Sequence, residues 1–255
     1  MSTITEQKIK KLLDQYKPGT VCLASWLEEL GISYDLQKRY RRSGWLSSIG
    51  TGAFVRPGDE VTWQGGLYAL QTQANLPIHA GAITALAMQD MSHYLRLGSE
   101  RIFLFAPPKT ILPAWFRSHD WQVELQYIKT SFLPAELGMI NHEEKTFSID
   151  ISTAERAILE CLYLAPRQLD LLECYQVMEG LFNLRPKLLQ QLLESCSSIR
   201  VKRLFFYMAE KAGHQWANFL DREKLNLGTG DRSITKGGVY IAEHRISIPK
   251  ELAAL

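Results

Sequence analysis

The chain has 255 residues, 46% of them hydrophobic and 22% charged, with a formal net charge of +2. That length has ample material for a packed core, and no apolar run approaches the ~20 residues a membrane span needs. The start, "MSTITEQKIKKLL", is polar and lacks the apolar region of a signal peptide, so a cytoplasmic protein is expected. Cys22, Cys161, Cys174 and Cys196 form no C-x-x-C pair and have no histidine at ligand spacing, which argues for buried thiols over a structural zinc site.

Charge is distributed unevenly along the chain. Residues 1–58 carry nine Lys/Arg against five Asp/Glu, residues 59–199 ten against sixteen, and residues 200–255 ten against six. Basic ends around an acidic middle suggest an anionic partner that meets particular segments.

In chain order, a first helix is expected from about Ile4. Thr3 and Glu6 stand at capping-box spacing, and Ile9, Leu12, Leu13 and Tyr16 form a helical stripe. A second helix covers "LASWLEEL" and stops at Gly31. A third opens at Ser33, runs to about Ser43 and stops at Gly44. "WLSSIGTGAFVRPG" then reads as two strands around a "GTG" turn. Two helices, a glycine turn, a basic helix and a hairpin make a winged helix-turn-helix, closing near Pro57 to Glu60.

Stepping ~100° per residue along the third helix puts Leu36 and Tyr40 inward. Tyr34, Lys38, Arg41 and Arg42 fall on the opposite face, flanked by Gln37 and Arg39. Arginine and glutamine can read base edges, and the remaining cations can neutralise phosphates. The candidate DNA-binding set is Ser33, Tyr34, Gln37, Lys38, Arg39, Arg41 and Arg42, with Thr51 and Arg56 of the wing.

Beyond the wing, "WQGGLYALQTQAN" and "HAGAITALAMQD" read as helices, and "RIFLFAPP", "WQVELQYIK" and "KTFSIDI" as strands. "STAERAILECLYLAP" is a helix with a Ser152–Glu155 capping box. Three further helices follow at "LLECYQVMEGLF", "RPKLLQQLLESCS" and "RVKRLFFYMAEKAG", and a strand pair at "GGVYIAEHRISIP". The fold class is α+β: a winged helix-turn-helix over 1–58, then a mixed α/β domain over 59–255 without the strict alternation of a doubly wound sheet.

The six histidines are scattered, and neither "GTG" nor "GTGDR" has phosphate-loop spacing. Glu143 and Lys145 make an E-x-K pattern with Asp120 upstream, the raw material of a metal-dependent nuclease. They sit in a polar turn, and a solvated turn is the simpler reading. Arg200, Lys202 and Arg203 open an apolar helix, where the dipole disfavours cations. They are either a solvent face or, with Lys236, a second surface for an anion or partner.

"ISTAERAILECLYLAP", "LLESCSSIRVKRLFFYMAEKAGHQW" and "LGTGDRSITKGGVYIAEHRISIP" resemble the C-terminal domain of the AbiEi family, antitoxins of type IV toxin–antitoxin systems linked to abortive phage infection. "LEELGIS", the basic helix and "GWLSSIGTGAFVR" are similar to that family's winged helix-turn-helix. The resemblance implies a transcriptional autorepressor that binds inverted repeats in its own double-stranded promoter DNA. It also implies an antitoxin domain that neutralises a nucleotidyltransferase-like toxin without a stable complex. No enzyme activity, cofactor or metal is implied. Two other readings are a DNA-targeted metal-dependent nuclease and a ligand-sensing transcription factor without an antitoxin role.

Overall fold

The computed structural model describes residues 10–91 and 101–255. The expected Thr3–Glu6 capping box, Ile9 and His93 lie outside those residues. The chain forms two compact units. The first holds the described residues up to His79 together with 101–129 and 141–150, and the second holds 80–91, 130–140 and 151–255.

In the first unit, residues 10–15 are helical (α1). Strand β1 (Cys22–Leu23), helices α2 (Ala24–Glu29) and α3 (Tyr34–Arg42), and strands β2 (Ser47–Gly50) and β3 (Ala53–Val55) follow. The strands make a sheet of order β1–β3–β2, with Cys22 opposite Phe54 and Leu23 opposite Ala53 in antiparallel register. Leu12, Tyr16, Cys22, Leu27, Ile32, Tyr40, Leu46 and Phe54 pack into one core. Gly31 and Gly44, at φ +82° and +74°, end α2 and α3 in the left-handed region that glycine adopts without a Cβ clash.

Beyond Pro57 to Glu60 the chain continues within the same compact unit. Helix α4 (Trp63–Tyr68) runs into a π-helical turn at Ala69–Gln73. The Gln73 amide accepts from the Leu23 amide and donates to the Val21 carbonyl, both at 2.8 Å, and so holds both sides of β1. Gly65 lies against β1's approach so closely that a Cβ there would sit 1.9 Å from the Gly19 carbonyl oxygen. A Cβ on the neighbouring Gly66 would meet Trp121 at 2.7 Å and Phe116 at 2.9 Å, so each glycine of "WQGG" has its own reason inside the helix.

Strands β5 (Arg101–Ala106) and β6 (Glu124–Lys129) are parallel, from Arg101 opposite Glu124 to Ala106 opposite Lys129. Helix α6 (Ala114–Ser118), hidden in the sequence between prolines and an aromatic run, connects them. Its Trp115 backs the wing, since a Cβ on Gly50 would meet the Trp115 Cβ at 2.7 Å.

The chain passes between the units inside β4 (His79–Ala80), β7 (Met139–Glu143) and β8 (Ser148–Ser152). In the second unit Ala80 pairs in parallel with Ile151. Helix α5 (Ala82–Met88) packs on α7 (Ala154–Leu164), whose residues from Ala154 to Leu162 are all buried. The small side chains of "AITALA" allow that close approach. Helices α8 (Leu171–Gly180), α9 (Pro186–Ser195) and α10 (Ile199–Lys211) surround α7. A small sheet of order β10–β11–β9 (Val239–Ile241, Ile246–Ile248, Arg232–Ser233) and helix α11 (Lys250–Ala254) complete the unit. All four cysteines are buried thiols.

Helix α7 carries three buried charges, and each has a task. The Arg156 Nε donates to Glu160 Oε1 at 2.8 Å, while its Nη1 donates to the Pro134 and Leu137 carbonyls. Glu160 Oε2 accepts from the Ser152 hydroxyl at 2.7 Å and from the Ala82 amide at 2.9 Å. The cap of α7 is therefore Thr153, which accepts from the Arg156 amide, one residue later than the expected Ser152. Glu155 instead grips Arg185, accepting from its Nε, its Nη2 and its backbone amide at the start of α9.

Burial opposes the ionised Glu155, but the Arg185 bonds outweigh it and hold the carboxyl below its ordinary value. A depressed folded-state value makes the contribution complete above the unfolded carboxylate value of ~4.3, and it fades as pH falls toward the lower folded value. Urea unfolding across an acid pH series is expected to show a stability loss that Glu155→Gln abolishes, with the variant already weaker at neutral pH. Parallel pH curves for the two proteins would contradict this assignment.

Candidate nucleic-acid interface

The N-terminal unit presents α3 as its charged surface. Tyr40 is buried and Leu36 half-buried against α1, α2 and the wing, and this anchors the inner face. Lys38, Arg39, Arg41 and Arg42 are all exposed, as the helical periodicity predicts. Three of them fall in the last turn, where cations also favour the helix dipole.

Arg41 is partly pre-ordered. Its guanidinium carbon lies 5.5 Å from the centroid of the Phe54 ring on β3, which ties the helix cation to the wing. Arg56, half-buried at the foot of the wing, lies 6.0 Å from the Tyr16 ring centroid. The Tyr16 hydroxyl donates to the Asp59 carboxylate at 2.5 Å, and burial together with that bond pushes the phenol far above its ordinary value. Thr51 is exposed at the tip of the β2–β3 turn, beside Gly52 at φ +74°. Ser33 is exposed at the cap position of α3 but makes no side-chain cap bond.

Gln37 does not join this face. It is 1% exposed, and its amide nitrogen donates to the Ala24 and Ile32 carbonyls, both at 3.0 Å. The residue clamps α3 to the start of α2 and to the turn between them. On the helical wheel it sits at the border of the two faces, and only the bare carbonyls of the turn decide which way it points.

Two exposed aromatics bracket the helix. Tyr34, its first residue, is 63% exposed, and Trp45, just after its end, is 45% exposed. The strand pattern of "WLSSIG" counts Trp45 among the apolar residues. Leu46 fills that inward place, and Trp45, Ser47 and Ser48 face out beside the cations.

The second cationic group turns out differently from an open anion surface. Arg200 donates to the Tyr163 and Ala165 carbonyls at the end of α7. Arg203 is 3% exposed and donates to four carbonyls: Leu227 at 2.7 Å, Gly228 at 2.9 Å, Gly230 at 2.7 Å and Arg245 at 3.0 Å. Lys202 is equally buried, and Lys236 alone is exposed, in the turn before β10. Arg200 and Arg203 stand at a helix start because carbonyls from elsewhere in the unit take their protons. Ser198 caps the same helix by accepting from the Val201 amide.

Among the described residues, Asp120 and Glu143 join no grouping of metal-ligating atoms. Among the described residues one such grouping occurs, formed by Glu210, Glu243 and His244, and there His244 and Arg222 pair with Glu210. No helix of the described residues is long and apolar enough to cross a membrane.

Two family descriptions match consecutive parts of the chain. "Transcriptional regulator, AbiEi antitoxin N-terminal domain" covers residues 5–97, and "Transcriptional regulator, AbiEi antitoxin, Type IV TA system" covers residues 99–249. The chain belongs to the AbiEi family. The AbiEi match divides near residue 98. The fold is similar to that of a solved structure, the RV2827C protein from Mycobacterium tuberculosis, at a TM-score of 0.60 and 14% identity over 96% of this chain and 91% of that one. At that identity the likeness speaks for the fold alone. No curated protein matches the chain. Membership makes it a transcriptional regulator and antitoxin family protein of type IV toxin–antitoxin systems.

Proposed function

We propose that this AbiEi protein binds the inverted repeats of its own promoter through α3 and the wing, and represses transcription there. Its second unit neutralises a nucleotidyltransferase-like toxin without a stable complex. The observation that carries the DNA reading is the set of four exposed cations, Lys38, Arg39, Arg41 and Arg42, on a helix whose other face is locked by Leu36, Gln37 and Tyr40. A helix held in this way can enter a major groove as a rigid body. Lys38, Arg39 and Arg42 neutralise phosphates. Arg41, steadied over Phe54, is the cation best placed for a directed contact to a base edge. Thr51 at the wing tip and Arg56 at its foot reach the backbone beside the groove, and Tyr34 and Trp45 border the same surface.

Arg41→Ala is expected to weaken promoter binding by about 1–3 kcal/mol, with the loss concentrated on the specific sequence. A gel shift on the promoter duplex and on a scrambled duplex reads this directly. Equal loss on both duplexes would move Arg41 to a phosphate, and no loss on either would remove it from the interface. The antitoxin role is tested apart from DNA binding. A full-length protein carrying Arg41→Ala should still rescue growth when the toxin is co-expressed.

A further inference from the structure

The first unit contains a second feature that DNA binding does not use. A polar cleft of about 220 Å³ opens beside the helix-turn-helix, lined by Gln15, Lys17, Thr20, Trp26, Tyr68, Thr72 and Gln73. That is below the ~300–1,000 Å³ of drug-sized pockets and suits a small metabolite. Its lining holds one cation and no carboxylate. It offers two aromatic rings, from Trp26 and Tyr68, together with amide and hydroxyl groups from Gln15, Thr20 and Thr72. Thr20 and Gln73 are buried at its base, at 1% and 8% exposure.

The wall of the cleft is unusual backbone. Ala69–Gln73 is a π-helical turn, closed by the Ala74 amide donating to the Ala69 carbonyl at 3.0 Å. A π-turn spends helix regularity to redirect side chains, and such turns recur at functional sites. Here it brings Thr72 and Gln73 to the cleft. Gln73 also holds β1 through Val21 and Leu23, and Trp26 belongs to α2. Two of the lining groups, Gln73 and Trp26, thus belong to the scaffold of the helix-turn-helix.

We infer that this cleft is an effector site for a small planar aromatic carboxylate, whose occupancy changes the grip on DNA. The ammonium of Lys17 meets the carboxylate, the rings of Trp26 and Tyr68 meet its faces, and the hydroxyl and amide groups meet its polar edge. The site itself is independent of the DNA reading, and the coupling rests on it.

The test uses the full-length protein and two probes, salicylate and orotate. Isothermal titration at millimolar ligand is expected to show one-to-one binding of at least one probe. Lys17→Glu and Thr72→Phe, both at exposed positions, should each weaken that binding by about tenfold or more, a loss near 1.4 kcal/mol, without lowering the melting temperature. No binding of either probe, or binding that both variants retain, would overturn the site. A promoter gel shift with saturating probe should then change affinity by about fivefold or more. Unchanged promoter affinity with the probe bound would overturn the coupling. A protein that fails to shift the promoter even without probe would instead contradict the DNA reading and leave the titration result standing.

Discussion

Arg203→Met is expected to destabilise the protein by about 3–5 kcal/mol, the scale of leaving more than one buried carbonyl without its donor. Its guanidinium is the common donor for the Leu227, Gly228 and Gly230 carbonyls of one loop and for the Arg245 carbonyl of the strand-bearing segment beyond it. Methionine fills the aliphatic volume but takes the donor from the Leu227 and Gly228 carbonyls, while those of Gly230 and Arg245 keep Arg232, and each buried unsatisfied group costs about 1–3 kcal/mol before relaxation. Arg203→Lys should fail nearly as badly, because an ammonium cannot spread donors across that fork. Urea unfolding of the two variants beside the wild type measures this. A loss below about 1 kcal/mol for Arg203→Met would mean that the loop finds water or other donors, and that the arginine is free for another use.

Arg156→Met should have an effect of the same size for a different reason. It takes the guanidinium away from the Glu160 carboxylate, 0% exposed, and it releases the Pro134 and Leu137 carbonyls. The expected loss is again about 3–5 kcal/mol. The double change Arg156→Met with Glu160→Met removes the buried carboxylate as well and should recover part of it. A double-mutant cycle therefore gives a coupling between the two residues, on the order of 1–3 kcal/mol. Additive losses would show that each residue acts through its other partners and not through the 2.8 Å bond between them.

Much of the N-terminal fold was legible because it is local. The stripe of Leu12 and Tyr16, the stop glycines Gly31 and Gly44 and the "GTG" turn depend on period and backbone freedom, which a short window of sequence carries. Strand β1 was not legible. Two residues, Cys22 and Leu23, carry no alternation, and they become a strand only because Phe54 and Ala53 lie opposite. Gln37 illustrates the same limit within the candidate site. Its identity suits an adenine edge and a carbonyl clamp equally, and the choice is made by two carbonyls from other elements.

The extent of the first unit was hidden for a related reason. Composition changes after Glu60, yet the bonds from Gln73 to β1 and the packing of Trp115 on Gly50 join segments far apart in sequence. The basic start of α10 pointed to an anion because the sequence shows the cations and hides their acceptors. The acceptors are main-chain carbonyls, which every residue carries and no pattern marks. The one-residue shift from Ser152 to Thr153 at the α7 cap arises because the Ser152 hydroxyl is taken by Glu160.

The central claim is that the exposed cations of α3 bind DNA phosphates and bases. The most direct measurement is the salt dependence of promoter affinity for the wild type and for a protein with Lys38, Arg39, Arg41 and Arg42 all changed to alanine. Each neutralised phosphate contributes about −0.9 to the slope of log affinity against log salt. The wild type should therefore show a steep slope, and the variant one shallower by about three, with far-UV circular dichroism unchanged and a small fall in melting temperature from the lost dipole and Phe54 contacts of these exposed side chains. A folded variant with the wild-type slope and affinity would contradict the account and place the DNA-binding surface elsewhere on the molecule.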